Sequence, residues 1–375
     1  MIAKTIRPLS GSGPRDPATF MRQIADWCEQ HSIQFDNYGT GSLIEDFEAK
    51  IASLLGFPAA RFMPSGTLAQ LAALKIWCDE ADSPHFAMHP TSHLEIHEEH
   101  AYSNLYGLRG TLVGPKYSPL LAKDIEQLDE DIAALLVELP IREAGGQLPS
   151  WDELNELKVT AKEKGLRLHL DGARLLEAQC FYERDFSEIC AGFDSVYVSF
   201  YKGIGALSGA MLLGSEDFIA QAKLWQRRAG GTIFTLAPQV ASAAMLFDES
   251  LAKQPAYRQR AQSLVKALSD IPQLRFLPEV PQVNMVHVYL PFSADVATKL
   301  RDEVEAQYGF RLFNRVAVAD VVADALTDAV AEKRNPQESY FELTVGDNLM
   351  ALSNAQVHEM FEYFVSTGLD YRELV

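Results

Sequence analysis

The sequence predicts an α/β protein: a large domain on a mainly parallel sheet, followed by a smaller α+β domain at the C-terminus. Two observations carry this. Apolar strand-like runs alternate with helical stretches through the first two-thirds of the chain, the order that builds a parallel sheet with helices on both faces. Two of those strands, Arg167–Leu170 and Ser195–Phe200, each end by presenting one charged side chain, Asp171 and Lys202, in a glycine-flanked turn. After about residue 250 the strict alternation stops.

In chain order, residues 1–40 read as an irregular segment, placed at an interface or against the smaller domain. It holds Ser10-Gly11-Ser12-Gly13-Pro14-Arg15, a short helix-like stretch and the turn Asp36-Asn37-Tyr38-Gly39. The large domain is expected over 41–250. Its first helix starts with a Ser42/Glu45 capping box, buries Ile44, Phe47, Ile51 and Leu54, and stops at Gly56. A strand at Ala60–Met63, the turn Pro64-Ser65-Gly66-Thr67 and a helix to about Cys78 follow. Strand Ala134–Glu138, helix Trp151–Lys164 and strand Arg167–Leu170 make a βαβ unit, with Ser150 and Glu153 as capping box and Gly165 as stop. Ser195–Phe200 and Ala210–Leu213 add two strands. The small domain, 251–375, is expected to hold helices near Tyr257–Leu268, Ala294–Ala306 and Gln356–Val365, with strands at Val283–Leu290 and Phe341–Val345.

Composition narrows the function. With 33 basic and 51 acidic residues the net charge is −18, which disfavours nucleic acid or an anionic membrane as partner. Cys28, Cys78, Cys180 and Cys190 are scattered, so neither a disulfide framework nor a zinc ribbon is indicated. No secretory signal or membrane-length apolar run is present, and a reduced cytoplasmic setting is the simplest expectation.

Ligands of open parallel sheets sit beyond the carboxyl ends of the strands. A lysine and an aspartate delivered there suit pyridoxal phosphate: Lys202 forms a Schiff base, and Asp171 keeps the pyridine nitrogen protonated so that the ring accepts electrons. A surface lysine and a plain turn aspartate are the bland alternatives. Arg174, three residues after Asp171, either clamps a substrate carboxylate or makes an ordinary ion pair. Ser65, Gly66 and Thr67 open a helix, whose N–H groups and dipole favour a phosphate; a simple N-cap is the alternative. His85–His100 holds five of the nine histidines, with His89, His93 and His97 spaced by four. Pro90 argues against one continuous metal-binding face by starting any helix at about Thr91 or Ser92. A single imidazole stacked on the cofactor fits better than a metal.

These motifs resemble the threonine aldolase/β-eliminating lyase family of fold-type-I pyridoxal phosphate enzymes, from Tyr38-Gly39 to Pro281–Val286 and most strongly from Phe62 to Gly214. Phe62–Thr67 is similar to the phosphate turn. Ser92-His93-Leu94 with Glu98 is similar to the segment whose histidine stacks on the ring, which points to His93. Glu138 with Gly145-Gly146 resembles the next loop. His169–Arg174 and Ser199–Ala206 resemble the Asp/Arg and Schiff-base motifs. Three positions depart from the family pattern. Ile141 stands where a second active-site histidine is expected, Phe234 where an arginine near the cofactor is expected, and Glu342 where a carboxylate-binding arginine would fall. Arg15, Arg228, Arg311 and Arg315 are candidates to compensate.

The resemblance implies cleavage of the Cα–Cβ bond of β-hydroxy-α-amino acids, threonine or allo-threonine first, with His93 as candidate base. It also implies a homodimer or homotetramer in which Tyr38 approaches the neighbouring subunit's site. The rival readings are β-elimination or racemisation on the same cofactor, a catalytically silent cofactor-binding relative, and an α/β protein without the cofactor.

Overall fold

The computed structural model describes residues 6–13, 15–129, 131–320 and 334–372; residues 1–5 and Pro14 of the N-terminal segment lie outside it. The chain divides into two compact units, one of residues 15–143 and 147–254, the other of 1–14, 144–146 and 255–375.

The larger unit is built on seven strands: β1 (Ala59–Met63), β2 (His85–Met88), β3 (Arg109–Leu112), β4 (Ala134–Glu138), β5 (Arg167–Gly172), β6 (Ser195–Ser199) and β7 (Ala210–Gly214). Their order across the sheet is β1-β7-β6-β5-β4-β2-β3. The pairs from β6 through β3 are parallel, and β7 runs antiparallel to both β6 and β1. The sheet is thus mainly parallel, as the alternation predicts, with one reversed strand. Strands β2 and β3 are not in the sequence reading. The first is four residues long and hidden among histidines; the second, at the sheet edge, leaves Arg109, Thr111 and Leu112 exposed.

Helices cover both faces. Helix α1 (Pro17–Gln30) is a full 14-residue helix rather than a short stretch: Asp16 caps it by accepting from Thr19 N at 2.8 Å, and Pro17 sits at the first position. In α2 (Ser42–Leu55) the cap is Gly41, not Ser42, and Glu45 reaches back to Gly41 N at 3.2 Å. Ile44, Phe47 and Ile51 are buried as expected; Leu55 rather than Leu54 completes the face, and Gly56 ends it at φ 76°. Phe47 meets Phe200, which stacks on Phe62. On the opposite face α3 (Gly66–Glu80) packs with Phe86, Leu136, Tyr197 and Leu212 in one cluster. Burial of side chains of this size contributes about 1.5–3 kcal/mol each. The expected βαβ unit is present: α5 (Trp151–Glu163) carries the Ser150/Glu153 capping box, and β4 and β5 are parallel. Between β2 and β4 lies α4 (His93–Ile96), a single turn.

Asp36, in the turn before α2, is buried and accepts four hydrogen bonds, from Gly39 N, Thr235 Oγ1, Leu236 N and Ala237 N, at 2.6–2.9 Å. It pins the residues that lead into the helix Ala237–Leu268. That helix runs unbroken through Pro255, so the expected Tyr257–Leu268 helix is only its last part.

The smaller unit carries a four-stranded antiparallel sheet in the order Ala317–Asp320, Arg334–Thr344, Met285–Leu290, Arg275–Leu277. Val288, Phe341 and Leu343 pack there with Leu300 of the helix Ala294–Tyr308 and Phe361 of the helix Asn354–Arg372. Arg7–Pro8 pairs in parallel with Phe310–Arg311. Among the described residues no helix is long and apolar enough to cross a membrane.

Candidate active site

Strands β4, β5 and β6 end side by side. In register, Glu138 of β4 pairs with Asp171 of β5, which pairs with Tyr197 of β6. The two-residue alternation of the strands turns these three side chains to the α3 face. Asp171 is 2% exposed. Its Oδ2 accepts from Gln70 Nε2 of α3 at 3.0 Å, and its Oδ1 from Ala173 N at 3.0 Å. Both oxygens of this carboxylate are thus engaged by N–H donors.

Lys202 follows β6 in a loop fixed on two sides. Arg15 Nη1 donates to Gly205 O at 2.8 Å, and a side chain at Gly203 would overlap the buried Glu177 carboxyl. Burial lowers the Lys202 ammonium below its ordinary value, and Arg174 lowers it further; Asp171 and Glu138 oppose this, and Arg142 adds to it. Lys202, Asp171, Glu138, Arg174 and Arg142 therefore share one electrostatic neighbourhood. A partly buried amine with a depressed pKa is the form in which lysine is nucleophilic. Arg174 is half-engaged, its Nε 4.0 Å from Glu177 Oε2. Glu138 is pushed up to about 8 by burial and then by Asp171.

Helix α3 begins at Gly66, and Ser65 is its N-cap, Oγ accepting from Leu68 N at 3.3 Å. Gly66 lies against the Tyr197 hydroxyl, where any Cβ would collide. The Thr67 hydroxyl donates to Glu98 Oε1 at 3.0 Å rather than standing open as a further donor. The same oxygen accepts from His93 Nδ1 at 2.9 Å. A carboxylate oxygen can only accept, so the His93 nitrogen facing Glu98 is the donor and the ring's other nitrogen is Nε2.

The other histidines have separate partners. His89 bonds Thr91 Oγ1 and the carbonyls of Pro115 and Ser118, and His97 pairs with Glu143 at 3.0 Å. Among the described residues no group of three or more His, Cys, Asp or Glu is arranged to hold a metal ion.

The three departing positions sit differently. Ile141 is 2% exposed and its N–H bonds Gln147 O, so it is a packing residue that pins its loop. Phe234 is exposed and lies edge-on to Tyr38, 5.3 Å between ring centroids. Glu342 lies opposite His287 in the smaller unit's sheet and accepts from Thr344 Oγ1 at 3.1 Å. Of the candidate arginines, Arg15 is committed to Gly205, Arg311 to Glu305, and Arg228 lies over Trp225; Arg315 is exposed. Sequence reasoning passed over Gln70, whose partner is 101 residues away, and gave Glu138 and Glu98 no role of their own.

The donor set fits pyridoxal phosphate. A desolvated amine, a doubly hydrogen-bonded carboxylate and a helix N-terminus held beside it match an aldehyde, a pyridine nitrogen and a phosphate in turn. Fold and donors together define a fold-type-I pyridoxal phosphate enzyme. The chain belongs to the β-eliminating lyase family, whose model matches residues 16–291. A Listeria monocytogenes structure provisionally assigned as an L-allo-threonine aldolase is 38% identical, with a TM-score of 0.87 over 97% of this chain and 96% of that one. An Exiguobacterium structure, provisionally assigned as an aromatic amino acid β-eliminating lyase/threonine aldolase, is 34% identical with a TM-score of 0.87 over 97% and 98%. Low-specificity L-threonine aldolase 1 of Arabidopsis thaliana is 26% identical over 286 residues, 73% of this chain and 79% of the relative. The protein is a pyridoxal phosphate-dependent lyase.

Proposed function

We propose that this lyase cleaves the Cα–Cβ bond of β-hydroxy-α-amino acids, threonine or allo-threonine first, to glycine and an aldehyde. The observation that carries the reading is the His93–Glu98–Thr67 bridge, which ties the imidazole to the residue beside the helix N-terminus. When bound, pyridoxal phosphate supplies the electron sink for charge at Cα. In this reading Lys202 provides the amine that holds the cofactor, and Asp171 keeps a proton on its pyridine nitrogen. Ser65, Gly66 and Thr67 hold the phosphate, with Thr67 contributing its backbone N–H while its hydroxyl serves Glu98. Arg174 orients the substrate carboxylate. His93 Nε2 takes the proton of the β-hydroxyl, help worth about 10²–10⁴-fold. We also assign the enzyme to the cytoplasm, as a homodimer or homotetramer with the exposed Tyr38 and Phe234 near a neighbouring subunit.

Ile141 favours one second reading, β-elimination, because the loop lacks the histidine that the resemblance leads one to expect. Incubating the cofactor-loaded protein with L-allo-threonine and L-threonine, with products identified by NMR, separates the two. Glycine with acetaldehyde is the expected result. Ammonia with 2-oxobutanoate would move the assignment to β-elimination.

A further inference from the structure

Of the two carboxyls paired in register at these strand ends, Glu138 is the one whose hydrogen bonding is incomplete. Its Oε1 accepts from Arg142 N at 3.0 Å. Its Oε2 is shielded from solvent and has no partner among the described residues. The neighbouring Asp171 has a donor on each oxygen. Two carboxyls side by side in register repel one another when both are ionised, and Glu138 is the one with the fewer donors and an unpartnered, shielded oxygen. That leaves the proton on Glu138. Burial, and after it Asp171, acts to protonate it; the Arg142 N–H, Lys202 and Arg174 act the other way and are outweighed. A buried O–H without an acceptor is destabilising, so such a group in a ligand site points to an acceptor that arrives with the ligand.

Resting on the cofactor site proposed above, we propose that Glu138 is a further acid–base residue of this site, whose Oε2 carries a proton and donates it in a hydrogen bond to an anionic oxygen of the bound ligand. Two oxygens share that chemistry, the phenolic oxygen of the cofactor and the carboxylate of the amino acid. Either gives the end of β4, just before the loop that carries Ile141, a proton-handling group of its own.

The test is difference infrared spectroscopy of the holoenzyme at pH 7, wild type against Glu138→Gln, without and then with glycine. A carboxylic-acid carbonyl band present in wild type and lost in the variant is expected. A band that does not move on adding glycine assigns the acceptor to the cofactor; a band that moves assigns it to the substrate carboxylate. Glu138→Asp, which keeps an acid, should restore a band. With cofactor content unchanged, kcat of Glu138→Gln should fall by about 10²-fold or more. No band assignable to Glu138 at pH 7 in a folded, cofactor-loaded protein would overturn the inference. The band needs no turnover, so an intact band in a protein that does not cleave threonine would count against the aldolase reading alone.

Discussion

Gln70 of α3 donates to Asp171 at the end of β5 across 3.0 Å, and both side chains are 2% exposed. The bond joins the helix whose N-terminus is assigned to the phosphate with the strand whose carboxylate is assigned to the ring nitrogen.

Gln70→Leu removes that donor without changing the backbone. A hydrogen bond to a charged group is worth about 1.5–3 kcal/mol, so cofactor affinity should weaken by about tenfold or more. Fluorescence titration of the cofactor-free variant measures this. Affinity equal to wild type would show that Ala173 N alone suffices.

Lys202→Ala should abolish the visible absorbance of lysine-bound cofactor and block its covalent trapping by borohydride, read by mass spectrometry. Trapping that persists would place the Schiff base on another lysine.

His93→Ala should lower kcat for aldol cleavage by about 10²–10⁴-fold. Glu98→Gln should also cost about 10²-fold or more, because an amide no longer compels the proton onto Nδ1. If kcat for Glu98→Gln stays at the wild-type value, His93 does not work through its tautomer.

His169 lies in β5, fully buried, with Nδ1 2.8 Å from Ser195 Oγ. Burial drives it down to about 3, against a weaker upward pull from Ser195, whereas in the unfolded chain it titrates near 6.5. Between these values the unfolded chain binds a proton that the folded chain refuses. The contribution is therefore complete above about pH 6.5 and is lost as pH falls toward 3, by up to about 1.4 kcal/mol per pH unit. Urea midpoints at pH 7 and pH 5 should drop more for wild type than for His169→Gln. Equal drops would refute the assignment.

Strands that end in a charge were readable because an apolar run meeting Asp171-Gly172 or Lys202-Gly203 is a local pattern. The βαβ unit was readable for the same reason, its cap residues Ser150 and Glu153 being three apart. Strands β2 and β3 were not, since one is short and the other is a polar edge whose pairing, not its composition, makes it a strand. The helix expected near Tyr257–Leu268 extends back to Ala237, straight through Pro255. Ser42 reads as a cap by type, but Gly41 at φ 141° already turns the chain and receives Glu45. The partners of Gln70, Asp36 and Arg61 are long-range: Asp36 is satisfied by residues near 235, and the buried Arg61 by Gln226 and Gly39. No periodicity marks such residues, because their spacing exists only after folding. Glu138 was visible as a motif residue; its missing hydrogen bond was not.

The parallel pair of Arg7–Pro8 with Phe310–Arg311 has a consequence for biosynthesis. The first partner leaves the ribosome about 300 residues before the second, which at roughly 5–20 residues per second is a wait of roughly 15–60 s. Throughout that wait residues 15–254 can already collapse on their own sheet, while Leu9, fully buried in the smaller unit's core, has nothing to bury against. Residues 7–9 thus wait for shelter until a segment about 300 residues further along has been made.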